Sequence, residues 1–420
     1  MHKTLPGFVT CIALFLTACG SNTQSGNKAD SSNSVSTTSV QTDSTYDPVE
    51  KNSRNTNYKP AFEGQTRIAG IKTSTSYEGK MLSDALKSPW GITSLPDGRF
   101  LITEKEGTMR IATSTGNVSA PITGLPAVNP GGQGGLLGLT IDPAFSGNSM
   151  VYWVFSENTP KGNLTSVAKG KLSADEKRIE NATVIYRALP AYKGNLHYGG
   201  RILFDKSGNL FVSTGERSDE VTRPQAQDLN SALGKIVHIT TDGKPAGGNP
   251  FLNNAKARPE VYSYGHRNVQ GLAFHPETGD LWEAEFGPRG GDEINLVQPG
   301  KNYGWPVITY GIEYSGEKIS GATTQKEGME QPVYYWDPVI SPSGITFYNS
   351  DSIPEWKNNL FIACLSGNHI ARLVMNNNKV AGEERLLANE KKRFRDVTQG
   401  RDGALYAVTD DGRLYRIGRK

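Results

Sequence analysis

Phe204-Asp-Lys-Ser-Gly-Asn-Leu-Phe-Val212 decides the fold, because the chain repeats its design five more times. The phrase is a turn rich in Gly, Asn or Asp that runs straight into a short β-branched and aromatic stretch, the mark of strands joined by a tight turn. It recurs at Leu95-Pro-Asp-Gly-Arg-Phe-Leu-Ile-Thr103, Asp142-Pro-Ala-Phe-Ser-Gly-Asn-Ser-Met-Val-Tyr152 and His275-Pro-Glu-Thr-Gly-Asp-Leu-Trp282. Two further copies are Trp356-Lys-Asn-Asn-Leu-Phe-Ile362 and Arg401-Asp-Gly-Ala-Leu-Tyr-Ala-Val408. Few amphipathic helical stretches intervene. Six such units predict an all-β fold, a six-bladed β-propeller with four-stranded antiparallel blades, in which radial closure leaves only short, protected strand edges. The strand-like Arg67-Ile-Ala-Gly-Ile-Lys-Thr73 is placed to complete the last blade and seal the ring. A pair of β-sandwiches is the competing architecture. Large inserts follow the third and fourth copies, and inserts of this kind map to loops on one face, commonly the binding face.

Outside the repeats the chain reads as an exported lipoprotein. Met1-His-Lys3, an apolar stretch from Leu5 to Leu16 and Leu16-Thr-Ala-Cys19 form a secretory signal too short to span a membrane as a mature anchor. The ending resembles a bacterial lipobox, which implies a signal peptide over residues 1–18 and lipidation of Cys19. Gly20 at the following position points to outer-membrane sorting, with the body facing the periplasm or the cell surface. Residues 19–64 are rich in Ser, Thr and Asn and cannot bury enough surface to offset their ordering entropy, so they are expected to form a disordered tether. The propeller is then assigned to residues 65–420. Of the three cysteines, Cys11 and Cys19 belong to the processing region, so only Cys364 remains and the fold needs no disulfide. Net charge is +3, and loss of residues 1–18 removes Lys3 and no acid, leaving +2. That balance gives no reason to expect nucleic acid as partner. Membrane contact is expected through the N-terminal lipid alone.

Polar residues gather in four segments. Leu196-His-Tyr-Gly-Gly-Arg201 offers His197 as a general base beside an arginine, with two glycines that permit close approach. In Tyr264-Gly-His-Arg-Asn-Val-Gln-Gly-Leu272, Arg267 and Asn268 supply several donors for a carboxylate or carbonyl. Glu285-Phe-Gly-Pro-Arg-Gly-Gly-Asp-Glu293, followed by Gly300-Lys-Asn-Tyr-Gly-Trp-Pro306, has the acids and free carbonyls that suit Ca²⁺, though not at EF-hand spacing. In Lys392-Arg-Phe-Arg-Asp396, Arg393 and Arg395 lie on one side of an extended segment and suit a polyanion or pair with surface acids. Each segment also has a plainer structural reading. There is no dinucleotide fingerprint, P-loop, nucleophile elbow or zinc spacing.

Taken together, the segments resemble the PQQ-dependent glucose/sorbosone dehydrogenase family, and within it the soluble aldose sugar dehydrogenases. The resemblance runs from about Arg67 to Lys420. Its blocks are Pro89-Trp-Gly91 with Leu95-Pro-Asp-Gly-Arg99, Gly132-Gln-Gly-Gly-Leu-Leu-Gly138, His197-Tyr-Gly-Gly-Arg201 and Gly265-His-Arg-Asn-Val-Gln-Gly-Leu272. Glu285-Phe-Gly-Pro-Arg-Gly-Gly-Asp-Glu293, Asn302-Tyr-Gly-Trp-Pro306, Ser341-Pro-Ser-Gly344 and Arg393-Phe-Arg-Asp-Val397 follow in the same order.

The resemblance implies that pyrroloquinoline quinone (PQQ) lies across one face near the propeller axis. Arg267, Asn268, Arg393 and Arg395 would hold it, with Gln133 near its quinone edge and Trp336 as a platform. Carbonyls of Gly287 and Pro288 would ligate a Ca²⁺ that polarises the quinone, Asp292 would act through water, and Glu293 with the Tyr303 carbonyl would form a second calcium site. His197 would take the anomeric hydroxyl proton of an aldose while the C1 hydride passes to PQQ, giving a lactone, with a separate electron acceptor downstream. Where some members place a lysine on the cofactor, this chain has Ser366. Two other functions stand beside this one: a propeller that binds sugar without turnover, and a calcium-dependent lactonase. The joint presence of His197 and the arginine pairs favours the dehydrogenase. So does the gathering of acids in one insert, where a lactonase would set them around the axis.

Overall fold

Leu360-Phe-Ile-Ala-Cys364 is apolar at every position, which an isolated sheet with one wet face would not require. Alternate side chains of a strand point to opposite faces. Here Leu360, Ile362 and Cys364 pack toward the blade before, while Phe361 and Ala363 pack toward the blade after. The strand is thus an interior strand of a radial stack, buried on both faces. Cys364, the last residue of the strand, is fully buried as a small hydrophobe.

The computed structural model describes residues 46–420, and these form the six-bladed propeller. The first blade holds Pro89–Ser94, Phe100–Glu104 and Thr108–Ala112, its outer position reduced to the pairings Met109–Ile122 and Ala112–Val118. The second holds Leu136–Ile141, Met150–Thr159, Gly162–Leu172 and Ile179–Arg187, and the third Ile202–Phe204, Leu210–Ser213, Lys235–Ile239 and Val261–Tyr264. Val269–Phe274, Leu281–Glu285, Asp292–Val297 and Tyr334–Trp336 make the fourth, and Pro342–Phe347, Leu360–Cys364, His369–Asn376 and Lys379–Leu386 the fifth. The sixth combines Phe394–Gln399, Leu405–Thr409 and Leu414–Arg419 with Tyr77–Ser83 from the other end of the chain. Every pairing within the blades is antiparallel. Each of the six repeated phrases is the turn between the first and second strands of its blade.

Six apolar clusters fill the six blade boundaries, one per boundary, including the seam between the sixth blade and the first. A fully buried Leu, Ile or Phe contributes about 1.5–3 kcal/mol relative to exposure. A core distributed this way explains how the described residues, with Cys364 as their single cysteine, hold together without a disulfide.

Ring closure differs from the sequence expectation. Tyr77–Ser83 pairs with Leu414–Arg419 and seals the sixth blade, whereas the 67–73 segment lies along the outer strand of the fifth. There the Ile71 amide donates to the Glu383 carbonyl at 3.0 Å and the Glu383 amide donates to the Ala69 carbonyl at 3.1 Å. The side chains decide between the two segments. Ile68 packs into the cluster between the fourth and fifth blades, while Tyr77 packs into the one between the fifth and sixth.

Upstream, residues 46–64 are held to the propeller. Asp337 accepts from the amides of Asn55 at 2.8 Å and Thr56 at 3.0 Å, and the Arg67 guanidinium reaches the carbonyls of Glu50, Asn52 and Asp337. Cys19, the signal peptide and residues 19–45 of the expected tether lie outside the described residues.

Candidate active site

The first strands of all six blades run the same way around the axis, so the segments that precede them meet on one face. The loops between second and third strands return to that face. A cavity of about 550 Å³ opens there. The segments leading into the first strands contribute Ser88 and Trp90, Gln133, His197, Arg267, Ser341 and Arg393 with Arg395, while the returning loops contribute Lys105, Gly287, Pro288, Leu365 and Asp410. The repeated turns lie on the opposite face. The repeats therefore built the scaffold, and the irregular segments built the site.

His197 is 4% exposed and has φ +46°, a left-handed conformation uncommon for a residue with a Cβ. Its amide donates to Gln133 Oε1 at 2.8 Å, and Nδ1 lies 2.7 Å from Glu216 Oε1. A carboxylate at that distance fixes the proton on Nδ1 and leaves Nε2 as the lone pair. Burial, followed by the charge of Arg267, lowers the imidazole to about 4, against the opposing pull of Glu216. The ring is therefore neutral at physiological pH. Close backbone approach makes this possible: a Cβ on Gly215 would sit 2.3 Å from the His197 carbonyl, and one on Gly199 2.6 Å from the Thr214 Cα.

The cavity is electropositive. Lys105, Arg267, Arg393 and Arg395 face two lining acids, Asp292 and Asp410. Arg393 Nε and Arg395 Nε both donate to Asp410, at 2.9 and 2.8 Å, and hold its carboxyl low although burial pushes the other way. The two arginines thus share one acid, and both also line the cavity mouth. Arg267 donates through Nη1 to the carbonyls of Phe286 at 3.1 Å and Gly287 at 2.7 Å, while its Nε is buried without a partner.

Asp292 lines the cavity, and its two oxygens accept three backbone N–H groups, from Gly287, Ile340 and Ser341. Burial pushes it up to about 7 against these donors. These bonds tie the Gly287 loop to the segment that leads into the fifth blade. Glu293 and Tyr303 do not reach the main cavity. They line a void of about 10 Å³ beside it, together with Glu285, Gly287 and Pro288. Behind that void Glu283 has one oxygen with no partner, and His266 Nδ1 lies 3.3 Å from Glu285 and 3.8 Å from Glu283. Burial and then the Glu285 charge push Glu283 and Glu293 well above the usual carboxylate range. Buried acids without a counter-charge are costly unless a cation or protons neutralise them.

Three expected positions differ in the structure. Trp336 does not line the cavity: it is 2% exposed, packs in the core between the fourth and fifth blades and donates from Nε1 to Glu383 at 3.3 Å. Its strand is the outermost of its blade, farthest from the axis, which is the reason. Asn268 is fully buried, and its Oδ1 accepts from the Gly199 amide and Gln270 Nε2 while Nδ2 has no protein partner. Arg201 lies outside the cavity, stacked 4.6 Å from the Trp90 ring and paired with Asp396 at 2.6 Å. It ties the third blade to the sixth.

Sequence reasoning missed Glu216, Asp410, Lys105 and the exposed Tyr314 at the rim. Glu216 had a signal. It follows the second strand of the blade whose first strand follows His197, and in an antiparallel pair those two ends are neighbours.

The glucose/sorbosone dehydrogenase family profile matches residues 86–416. Aldose sugar dehydrogenase YliI of Escherichia coli is 41% identical over 343 residues, covering 80% of this chain and 92% of the relative. The crystal structure of the apo soluble aldose sugar dehydrogenase from Escherichia coli superposes with TM-score 0.79 at 40% identity, over 82% of this chain and all of that one. The PQQ-bound aldose sugar dehydrogenase from Streptomyces coelicolor superposes with TM-score 0.68 at 30% identity, over 83% of this chain and all of that one.

Proposed function

The chain belongs to the glucose/sorbosone dehydrogenase family, and from that premise we propose that it oxidises aldose sugars at C1 to lactones, with PQQ and Ca²⁺ as cofactors and His197 as general base. The observation that carries the reading is the His197–Glu216 pair at 2.7 Å on the wall of a cavity with four cationic side chains. Binding without turnover does not require a carboxylate to set an imidazole tautomer.

The residues present suit both cofactors. Arg267, Arg393 and Arg395 would hold the carboxylates of PQQ, and the unpartnered Arg267 Nε is a buried donor in want of an acceptor. Gln133, with Oε1 committed to the His197 amide, keeps its Nε2 for the ligand. Asn268 acts from behind this surface, supporting Gly199. Ser366 offers no charge and is bonded to Ser341 at 2.7 Å, so cofactor charge is met by the arginines and Lys105. Carbonyls of Gly287 and Pro288 are the hard oxygen donors that Ca²⁺ prefers, and Glu293 with the Tyr303 carbonyl would serve a second ion that neutralises the buried acids around it. When bound, PQQ supplies the two-electron acceptor and Ca²⁺ the Lewis acidity that activates it.

The protein's own work is to remove one proton at a fixed place. The neutral Nε2 of His197 accepts the proton of the sugar C1 hydroxyl, and Glu216 stabilises the imidazolium that results. Rigid blades hold this pair in register with the cofactor arginines, and such preorganisation lowers the entropic part of the barrier. The N-terminal pattern supports anchoring through lipid on Cys19, with the body on the exported side.

The test is to add PQQ and Ca²⁺ to purified apo-protein and follow dye reduction across a panel of aldoses. Sugar-dependent turnover is expected. Absence of turnover, together with no change in quinone absorbance on adding sugar, refutes the reading. His197→Ala should lose about 10²–10⁴-fold in kcat while still binding PQQ.

A further inference from the structure

We propose that Arg217 is a positioning residue for His197, locking the 194–198 loop in the one backbone shape that aims the imidazole into the cavity. The proposal rests on the reading of His197 as the base.

Arg217 is 2% exposed and forms no ion pair among the described residues. Its donors go to neutral acceptors of one small region: Nε to the Leu196 carbonyl at 3.0 Å, Nη1 to the Asn163 carbonyl at 3.0 Å, and Nη2 to Asn163 Oδ1 and the Gly194 carbonyl, both at 2.6 Å. The guanidinium also lies 4.0 Å from the Tyr198 ring centre, and the Tyr198 hydroxyl donates to the same Asn163 Oδ1 at 2.7 Å. The residues on either side of His197 are thus both held by one planar group.

That grip has a purpose in the backbone. His197 at φ +46° occupies a region that a Cβ disfavours, and such a conformation persists only where its surroundings over-determine it. Arg217 itself has φ +76° and Ser218 φ +58°, so the gripping turn is shaped as unusually as the loop it grips. Stability alone does not explain the residue. A buried cation without a counter-ion is costly, and an apolar side chain of similar volume would fill the space more cheaply. Glu216 and Arg217 are consecutive: the first fixes the ring through Nδ1, the second fixes the main chain beneath it. The charged groups that act on His197 are Arg267 and Arg217, which disfavour its protonation, and Glu216, which favours it.

The test compares Arg217→Met, Arg217→Lys, His197→Ala and Arg372→Met in the full chain loaded with PQQ and Ca²⁺. Arg372 is a buried arginine of the fifth blade, paired with Glu384 and outside the cavity, and serves as a stability control. Arg217→Met should bind PQQ as tightly as the parent and keep KM within about threefold, yet lose about 10²-fold in kcat, the scale expected for a misplaced catalytic group. The acid limb of its kcat/KM profile should move to higher pH, because one cation near the base is gone. Arg217→Lys keeps the charge and loses the fork, so kcat should fall by about tenfold with the acid limb unmoved. Wild-type kcat in either variant overturns the proposal. An equal kcat loss in Arg372→Met at the same loss of melting temperature also overturns it. Should His197→Ala remain active, the reading of the base fails instead, an outcome the Arg217 variants alone would not produce.

Discussion

Replacing Glu216 by glutamine should nearly abolish turnover without disturbing the fold, and the structure says why. One carboxylate oxygen lies 2.7 Å from His197 Nδ1, and the other accepts the Ser218 amide at 3.0 Å. A glutamine must keep its carbonyl oxygen toward the Ser218 N–H, since an NH₂ there would meet another donor. Its NH₂ then points at Nδ1 and forces that nitrogen to accept. The imidazole proton moves to Nε2, and the lone pair proposed to receive the sugar proton is lost. The substitution changes no volume and leaves the hydrogen-bond count intact, so stability should stay within about 0.5 kcal/mol. General-base catalysis contributes about 10²–10⁴ in rate, and loss of the correct tautomer should forfeit most of it, about 3–5 kcal/mol of transition-state stabilisation. Stopped-flow dye reduction by the PQQ- and Ca²⁺-loaded protein measures kcat, and a PQQ titration checks that the cofactor still binds. Glu216→Gln with wild-type kcat and normal PQQ affinity would refute the tautomer argument and, with it, the role of the pair.

Four other expectations concern acid stability, the pH range of turnover, Arg395 and Trp336. His197 and His369 are both held near 4, chiefly by burial, against an ordinary value of 6.5. The unfolded chain therefore takes up protons below pH 6.5 that the folded chain refuses until about pH 4. Each histidine should cost the fold up to about 3 kcal/mol as pH falls through that window. Urea midpoints at pH 7, 5.5 and 4.5 should show a shallower decline for His369→Phe than for the parent, and an unchanged slope would contradict the assignment. Turnover, in contrast, should hold from neutral pH down to about pH 5 and fail only as His197 protonates. Arg395→Met removes one cation from the cavity wall and, on the proposed reading, should weaken PQQ binding by about 10–100-fold in a fluorescence titration, while KM for sugar measured at saturating PQQ changes little. Trp336→Phe should lower stability by about 1–2 kcal/mol through its lost bond to Glu383 and leave PQQ affinity unchanged; a large loss of affinity would restore Trp336 to the site.

Local pattern carried the fold because a propeller is built from local pairs. Each repeated turn joins strands that pair with each other, so the phrase and its consequence lie within about a dozen residues. Closure was the exception. The 67–73 segment is strand-like in composition, and only the apolar pockets that take Ile68 and Tyr77 show that 77–83 is the one that closes the ring. The candidate site divides in the same way. Gln133, His197, Arg267, Gly287, Pro288, Asp292, Arg393 and Arg395 were marked in the sequence by unusual local composition and by resemblance, and they line one cavity. Trp336 was marked too, yet strand position within a blade, which its neighbours in sequence do not reveal, turned it into the core.

By itself, then, the sequence determined the repeat, the blade and the residues with chemistry to offer, because turn residues and strand alternation act over short distances. Only the tertiary structure decided which of those residues meet. Glu216 is 19 positions from His197, and Asp410 is 15 from Arg395. Each pair comes within 2.8 Å because antiparallel pairing returns the chain to the face it left. Radial closure then places six such returns around one axis, and that convergence, encoded in no single segment, makes an electropositive cavity with a neutral imidazole on its wall.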